Sequence, residues 1–485
     1  MEKKLNMKND KKAVDELMEV LKEKVKFYRT PTNQLYMEID DPNMLNTLVL
    51  VEEAQVLHWI RSHCYEIYGQ ILTSAECKQI QDYFKMLAYM KGEEIKLFHR
   101  VMKENDAIYY DFGSRTEILK IDREEISYIP VKKPMFIRNK IFKAQTEPKI
   151  GTEPREFIRY LKKHFNLKEE KDCILLSTFL VSCFWGKEIF HPILQVFGEK
   201  GSAKSTSLRR IQDLIDPHTI DLYALPKKED DVAICLSSNY MTCFDNVSYI
   251  SYNISDLLCR NCTGGVQMKR ELFSNTGQSI LELQSIVCFN GTGQNISKSD
   301  LADRTLFVEL ERIKSDQIRT EKELKEAWKE DLSDILGALY NAVQGVLRDE
   351  SELENTCPIR LIDFYKVAVK AGKQFGYTEE EVRKAFVENK IYADKEIVTG
   401  TPILNVIVEI LKTDKNIEMS MTEFYAVLKD CFIKDYAMEA RAFPKAPNYL
   451  SRYLNENRSN LYDLGISYEI KNTGKFRKIH IWLMK

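Results

Sequence analysis

The stretch that decides the fold is Ile193–Ile211, ILQVFGEKGSAKSTSLRRI. Ile193 to Phe197 is a short apolar run of the kind that forms a buried strand in a parallel sheet. It ends in Gly198-Glu199-Lys200-Gly201-Ser202-Ala203-Lys204-Ser205-Thr206, and an amphipathic helical pattern follows. Strand, glycine-bearing loop and helix in that order make a phosphate-binding P-loop. The glycines let the backbone curl so that its N–H groups face phosphate oxygens, and the helix N-terminus adds its positive end. Lys204 would reach the β- and γ-phosphates of ATP, and the Ser205 hydroxyl would ligate Mg²⁺. Residues 198–206 are therefore the candidate nucleotide-binding set. Ala203 stands where the pattern G-x-x-x-x-G-K-[ST] has its last glycine, and a methyl group is admissible there where φ is negative.

Further along, the residues that such a site requires come in order. About forty residues on, a second apolar segment ends in Cys243-Phe244-Asp245-Asn246. Asp245 is placed to enter the Mg²⁺ shell. Asn246 occupies the position where many such ATPases carry a water-polarising glutamate, and an amide is a poor general base. A third strand, Gln284 to Phe289, ends in Asn290, whose side chain could contact the γ-phosphate or the attacking water. Asp300-Leu301-Ala302-Asp303-Arg304-Thr305 follows, and Arg304 is a candidate arginine finger for a neighbouring subunit's site. The catalytic candidates are thus Lys204, Asp245, Asn246, Asn290 and Arg304, with Ser205 and Asp245 as ligands to Mg²⁺.

The surroundings fit an α/β fold. From about residue 155 to Asn341, strands and helices alternate, which indicates a parallel sheet with crossover helices. Residues 1 to about 100 read as mostly helical, with helices over Glu53–Tyr68 and Ala75–Met90. Residues 106–138 alternate polar and apolar and read as a small strand-rich module. A polar stretch with Pro148, Gly151 and Pro154 is a plausible linker. The domains expected are 1–150, a helical region plus β module; 151–390, the ATPase core with lid helices; and 395–485.

That last region reads helix, short strand, helix, helix and then two strands, the order of a winged helix-turn-helix. It is locally basic. Arg452 lies on the polar face of its third helix, and Lys475, Arg477 and Lys478 fall at the wing, where phosphate contacts supply affinity. Residues 264–283 form a second DNA-binding candidate, a hairpin with a tip at Ser274–Gly277 that carries Lys269 and Arg270.

Composition sets bounds. The chain has 485 residues, 44% hydrophobic and 30% charged, and a net charge of −2, so nucleic acid must be held by local basic patches rather than by the chain as a whole. Its longest apolar run, Cys173 to Trp185, is shorter than the roughly 20 residues of a membrane span and reads as a core helix. Eleven cysteines without a framework or a secretory signal point to reduced thiols in the cytoplasm, and no four ligands assemble into a zinc site.

In order, HPILQVFGEKGSAKST, CFDNVS, TGGVQMKRELFSNTG, IVCFNGTG and DLADRTLFVEL resemble the AAA+ ATPases of mobile-element replication. The look is that of the MCM-like Rep and Cch helicases of staphylococcal pathogenicity islands and cassette chromosomes, over roughly residues 100–380. The resemblance implies a homo-hexameric ring with ATP sites between subunits and DNA in a central channel. It also implies that Asn290 is a sensor, that Arg304 acts in trans, and that Arg360, at the start of a lid helix, is a second sensor on the phosphates. The function expected is an ATP-dependent DNA helicase and replication initiator with no membrane partner. A regulatory switch ATPase with a winged-helix effector, and an origin-binding initiator without processive unwinding, are the alternatives.

Overall fold

The computed structural model describes residues 11–484 apart from 42–43, 45–46, 271–277, 292–294, 297, 355, 400–401, 436–442 and 473–476. The chain divides into two compact units, one of residues 1–145 with 217–219 and one of residues 146–216 with 220–485.

The first unit holds two sheets. One has four strands in the order Leu48–Leu50, Leu35–Ile39, Val25–Arg29, Glu93–Glu94, and three helices, Lys11–Lys22, Ala54–Tyr68 and Ser74–Lys91. Leu17, Leu21, Met37, Ile39, Val49, Val56, Ile60 and Phe84 close the core between helices and sheet. The expectation of a mostly helical first hundred residues is corrected here. VKFYR and LYMEI are each five residues long, too short for their alternation to stand out between two amphipathic helices. The second sheet is an antiparallel meander of Val101–Glu104, Ala107–Tyr110, Glu117–Ile121 and Ile126–Pro130. Arg100, only 2% exposed, donates to the carbonyls of Asp111, Lys143 and Pro217 and lies 3.8 Å from the centre of the Phe142 ring, so it fastens the returning 217–219 segment.

The second unit is built on a five-stranded parallel sheet. Its order is Tyr223–Ala224, Met241–Asp245, Ile286–Gly291, Ile193–Gly198, Thr305–Leu310. The three central strands are almost wholly buried, which is why they read as largely apolar runs. The Ile286–Gly291 strand lies between the strand that leads into the glycine loop and the strand that ends at Asp245. Three residues far apart in sequence, Gly198, Asp245 and Asn290, consequently end up at the same edge of the sheet.

Helices Glu156–His164, Glu170–Ser182 and the 28-residue Glu321–Arg348 pack together in this unit. The long helix starts on a capping box, with Thr320 and Glu323 satisfying each other's backbone N–H groups. A side chain at Gly337 would meet the Lys149 carbonyl at 2.0 Å, so glycine lets the 149 loop lie against the helix. Helices Ile362–Phe375 and Glu379–Thr399 pack on Glu170–Ser182.

The chain then forms helix Pro402–Thr413, strand Asn416–Ser420, helices Met421–Asp435, Pro447–Glu456 and Arg458–Asp463, and the strands Ile466–Asn472 and Arg477–Leu483. The three strands make an antiparallel sheet with Arg477–Leu483 in the centre. This part has its own core, in which Leu404, Ile407, Phe424, Leu428, Leu450, Ile479 and Ile481 are buried.

Candidate nucleotide site and basic surfaces

Outside the carboxyl end of a parallel sheet, at a point where neighbouring strands diverge, is the usual place for a ligand crevice. Here the Ile193–Gly198 strand turns through residues 199–203 into helix Lys204–Ile215. Gly198 has φ 152°, and a side chain there would meet the Leu310 carbonyl at 2.4 Å. Only glycine fits. No side chain caps the helix, so its first N–H groups are not satisfied by a capping side chain. Ser202 is buried, and its Oγ has no hydrogen-bond partner among the described residues.

Ala203 is the N-cap residue, at φ 62° and ψ 33°. The condition of negative φ is not met: the methyl group stands in left-handed backbone, the conformation for which the usual glycine is suited.

Lys204 folds back over the loop, and its Nζ donates to the carbonyls of Gly198 and Glu199, both at 2.8 Å. Partial burial lowers its pKa, because the ammonium is short of water. Ser205 Oγ donates to Asp245 Oδ1 at 2.7 Å, and Asn290 Nδ2 donates to the same oxygen at 2.6 Å. Asn290 Oδ1 in turn accepts the backbone N–H of Asn246 at 2.6 Å, and the Val247 N–H reaches the Asn290 carbonyl at 2.8 Å. Ser205, Asp245 and Asn290 are therefore one hydrogen-bonded junction beside Lys204. Glu199, Lys200 and Gly201 form the exposed outer part of the loop, and Thr206 lies in the first helical turn.

Asn246 enters this junction through its backbone. Its φ is 54°, so an asparagine, which tolerates left-handed backbone better than a glutamate, suits the position. That conformation gives a physical reason for the residue type, one the sequence alone does not supply.

Arg304 lies elsewhere. Its Nη1 donates to the Asp300 carbonyl at 2.7 Å and also to the Asp300 carboxylate. Arg360 Nη1 donates to the same Oδ1 of Asp300 at 2.7 Å, and its Nε lies 3.9 Å from Asp303. The contacts of Arg360 are thus with the carboxylates around Arg304. Asp300 escaped the reading of the sequence as a site residue, although its i,i+4 spacing to Arg304 signals an ion pair.

Of the basic candidates, Lys269 and Arg270 lie on strand Gly265–Arg270, which pairs with Gln278–Leu283; the tip lies outside the described residues. Arg452 is exposed on helix Pro447–Glu456. Arg477 is exposed, with its Nε on Asn472 Oδ1 at 3.1 Å, and Lys478 lies 4.0 Å from Glu418. Lys475 lies outside the described residues. Among the described residues no group of three or more His, Cys, Asp or Glu side chains is arranged to hold a metal ion, and no helix is long and apolar enough to cross a membrane.

Comparisons with known proteins bear on both parts of the second unit. Residues 158–388 match the family described as actinomycete integrative conjugative element replication protein. Residues 403–483 match the AICE RepA C-terminal domain. No curated protein matches the chain. Solved structures similar to it include an A-form apo structure of the NrS-1 C-terminal region, with a TM-score of 0.40 and 12% identity over 97% of this chain and 98% of that one. Another apo structure of the same region has a TM-score of 0.40 and 12% identity over 98% of this chain and 100% of that one. The two family models describe successive parts of one kind of protein and together take in well over half of the sequence. Residues 158–388 and 403–483 are thus similar to successive parts of a replication protein of mobile integrative elements.

Proposed function

We propose that the protein is a DNA-dependent ATPase of the AAA+ type, which works as a homo-hexameric helicase and replication initiator of a mobile element. The observation that carries this reading is the junction of Ser205, Asp245 and Asn290 beside Lys204, at the edge of a parallel sheet and over an uncapped helix N-terminus. The similarity of residues 158–388 and 403–483 to replication proteins of mobile elements supports the replication role.

In this reading the backbone of residues 198–203 cradles the phosphates of ATP, and Lys204 exchanges its two carbonyl partners for the β- and γ-phosphates. Ser205 and Asp245 present hard oxygen atoms, the donor type Mg²⁺ takes while it keeps several waters, so these two residues would hold that ion. When bound, it neutralises charge on the β- and γ-phosphate oxygens. Asn290, held by Asp245 on one side and the Asn246 N–H on the other, orients the attacking water. Arg304 of a neighbouring copy stabilises charge on the transferred phosphoryl group. The C-terminal part is a winged helix: Arg452, Arg477, Lys478 and Lys475 would contact the phosphates of duplex DNA. Lys269 and Arg270 would face the strand in the channel.

The test is ATP turnover and fork unwinding measured with and without single-stranded DNA, together with oligomer mass. DNA-stimulated turnover, strand displacement and a six-fold mass are expected. Slow turnover indifferent to DNA, without displacement, would reject the helicase reading.

A further inference from the structure

Two arginines that are 56 positions apart share one carboxylate oxygen. Arg304 reaches Asp300 from the end of helix Ser299–Ala302, and Arg360 reaches it from the segment just before helix Ile362–Phe375. The neighbouring Asp303 accepts from Lys390, which also donates to Asp394 at 2.9 Å. Asp303 is thus shared between Lys390 and, at 3.9 Å, the Arg360 Nε, whereas Asp300 accepts from both arginines. Burial raises the pKa of this carboxyl, but the Arg304 hydrogen bond and charge outweigh it, so Asp300 is held ionised.

Two guanidiniums side by side repel. In the absence of a carboxylate between them, the more exposed Arg360 would swing into solvent. The side chain of Arg304 is 16% exposed, and its buried Nε has no partner among the described residues, whereas that of Arg360 is 59% exposed. The pair therefore presents one guanidinium fixed at depth and one that stands outward. Two forks that converge on one carboxylate offer donors suited to a polyphosphate, whose oxygens lie in successive groups.

We propose that Asp300 is a positioning residue that holds Arg304 and Arg360 as one two-arginine unit for the phosphates of a nucleotide bound by a second copy of this chain. The inference rests on the ATPase reading above and assigns Arg360 to the neighbour's site rather than to the phosphate loop of its own chain.

The experiment uses the full-length protein with Asp300→Asn, Arg360→Ala and Lys204→Ala, alone and in mixtures. Asp300→Asn is expected to lower kcat about 10- to 100-fold, the scale of a misplaced catalytic group, with KM for ATP and oligomer mass unchanged. Asp300→Glu should restore much of that loss. Combining Asp300→Asn with Arg304→Ala should be little worse than Arg304→Ala alone, because the two residues act as a unit. Mixing Asp300→Asn with Lys204→Ala protein should give more turnover than the sum of the two alone, since each supplies the half-site the other lacks. Turnover of Asp300→Asn within twofold of wild type, or no gain on mixing, would overturn the inference. If Asp300→Asn does not assemble, Arg360→Ala carries the same mixing test, as its exposed side chain leaves no cavity. Undiminished turnover in Lys204→Ala would instead reject the ATPase reading itself, an outcome distinct from these.

Discussion

Ala203 offers a measurement of how much strain the loop of residues 198–203 stores. At φ 62° and ψ 33° an alanine lies in left-handed backbone, which costs an L-residue with a Cβ about 1–2 kcal/mol. Ala203→Gly removes that cost and adds about 0.5–1 kcal/mol of chain entropy to the unfolded state. The difference is a stabilisation of between about 0 and 1.5 kcal/mol, a rise in Tm of up to about 3 °C for a unit of this size. Ala203→Val goes the other way. A β-branched side chain in this region is a clear outlier and should cost about 2 kcal/mol or more. Thermal unfolding of the three proteins, followed by calorimetry, gives the order Gly at or above Ala, with Val lowest. The same order is expected for Mg·ATP affinity if the loop binds phosphate in this conformation. A glycine variant destabilised by about 1 kcal/mol, the usual loss for alanine to glycine in right-handed helical backbone, would show that the backbone at 203 is not left-handed.

Two further predictions follow from single residues. Asn246 contributes its N–H at φ 54°, so Asn246→Gly should keep turnover within a few-fold of wild type, whereas Asn246→Glu should lower it despite the added carboxylate; a rate increase in the glutamate variant, measured as kcat, would show that a missing base limits the reaction. His191, 6% exposed with Nε2 on the Gly186 carbonyl at 2.9 Å, has its pKa lowered by burial to about 4. The unfolded chain therefore binds the extra proton first as pH falls below about 6.5, and up to about 3 kcal/mol of stability is lost between there and pH 4; His191→Gln should flatten this limb of a Tm-against-pH curve, and an unchanged slope would contradict the assignment.

The strands that bring Gly198, Asp245 and Asn290 together were legible in the sequence because each is a largely apolar run that stops at one of these residues. Phe197 precedes Gly198, Phe244 precedes Asp245, and Phe289 precedes Asn290. Such runs arise because a parallel strand is covered on both faces. The N-terminal sheet was missed for the opposite reason, since its short strands carry charged residues such as Lys26 and Glu38 between helices with a stronger pattern. Backbone conformation was also hidden: neither Ala203 nor Asn246 announces positive φ by its type alone. The contact of Arg360 with Asp300 joins residues sixty positions apart, and only the packing of helix Ile362–Phe375 against the core brings them together. Asp300 and Arg304, four residues apart, could have been paired by spacing.

The central claim is that the loop of residues 198–205, with Asp245 and Asn290, binds and hydrolyses ATP. Its most direct test is steady-state ATP turnover of Lys204→Ala beside wild type, with both proteins shown to have the same oligomer mass and thermal midpoint. Wild type should turn over ATP, and the variant should fall by about 100-fold or more, the scale of losing a group that meets the transferred phosphate. Turnover of Lys204→Ala within twofold of wild type would contradict the claim.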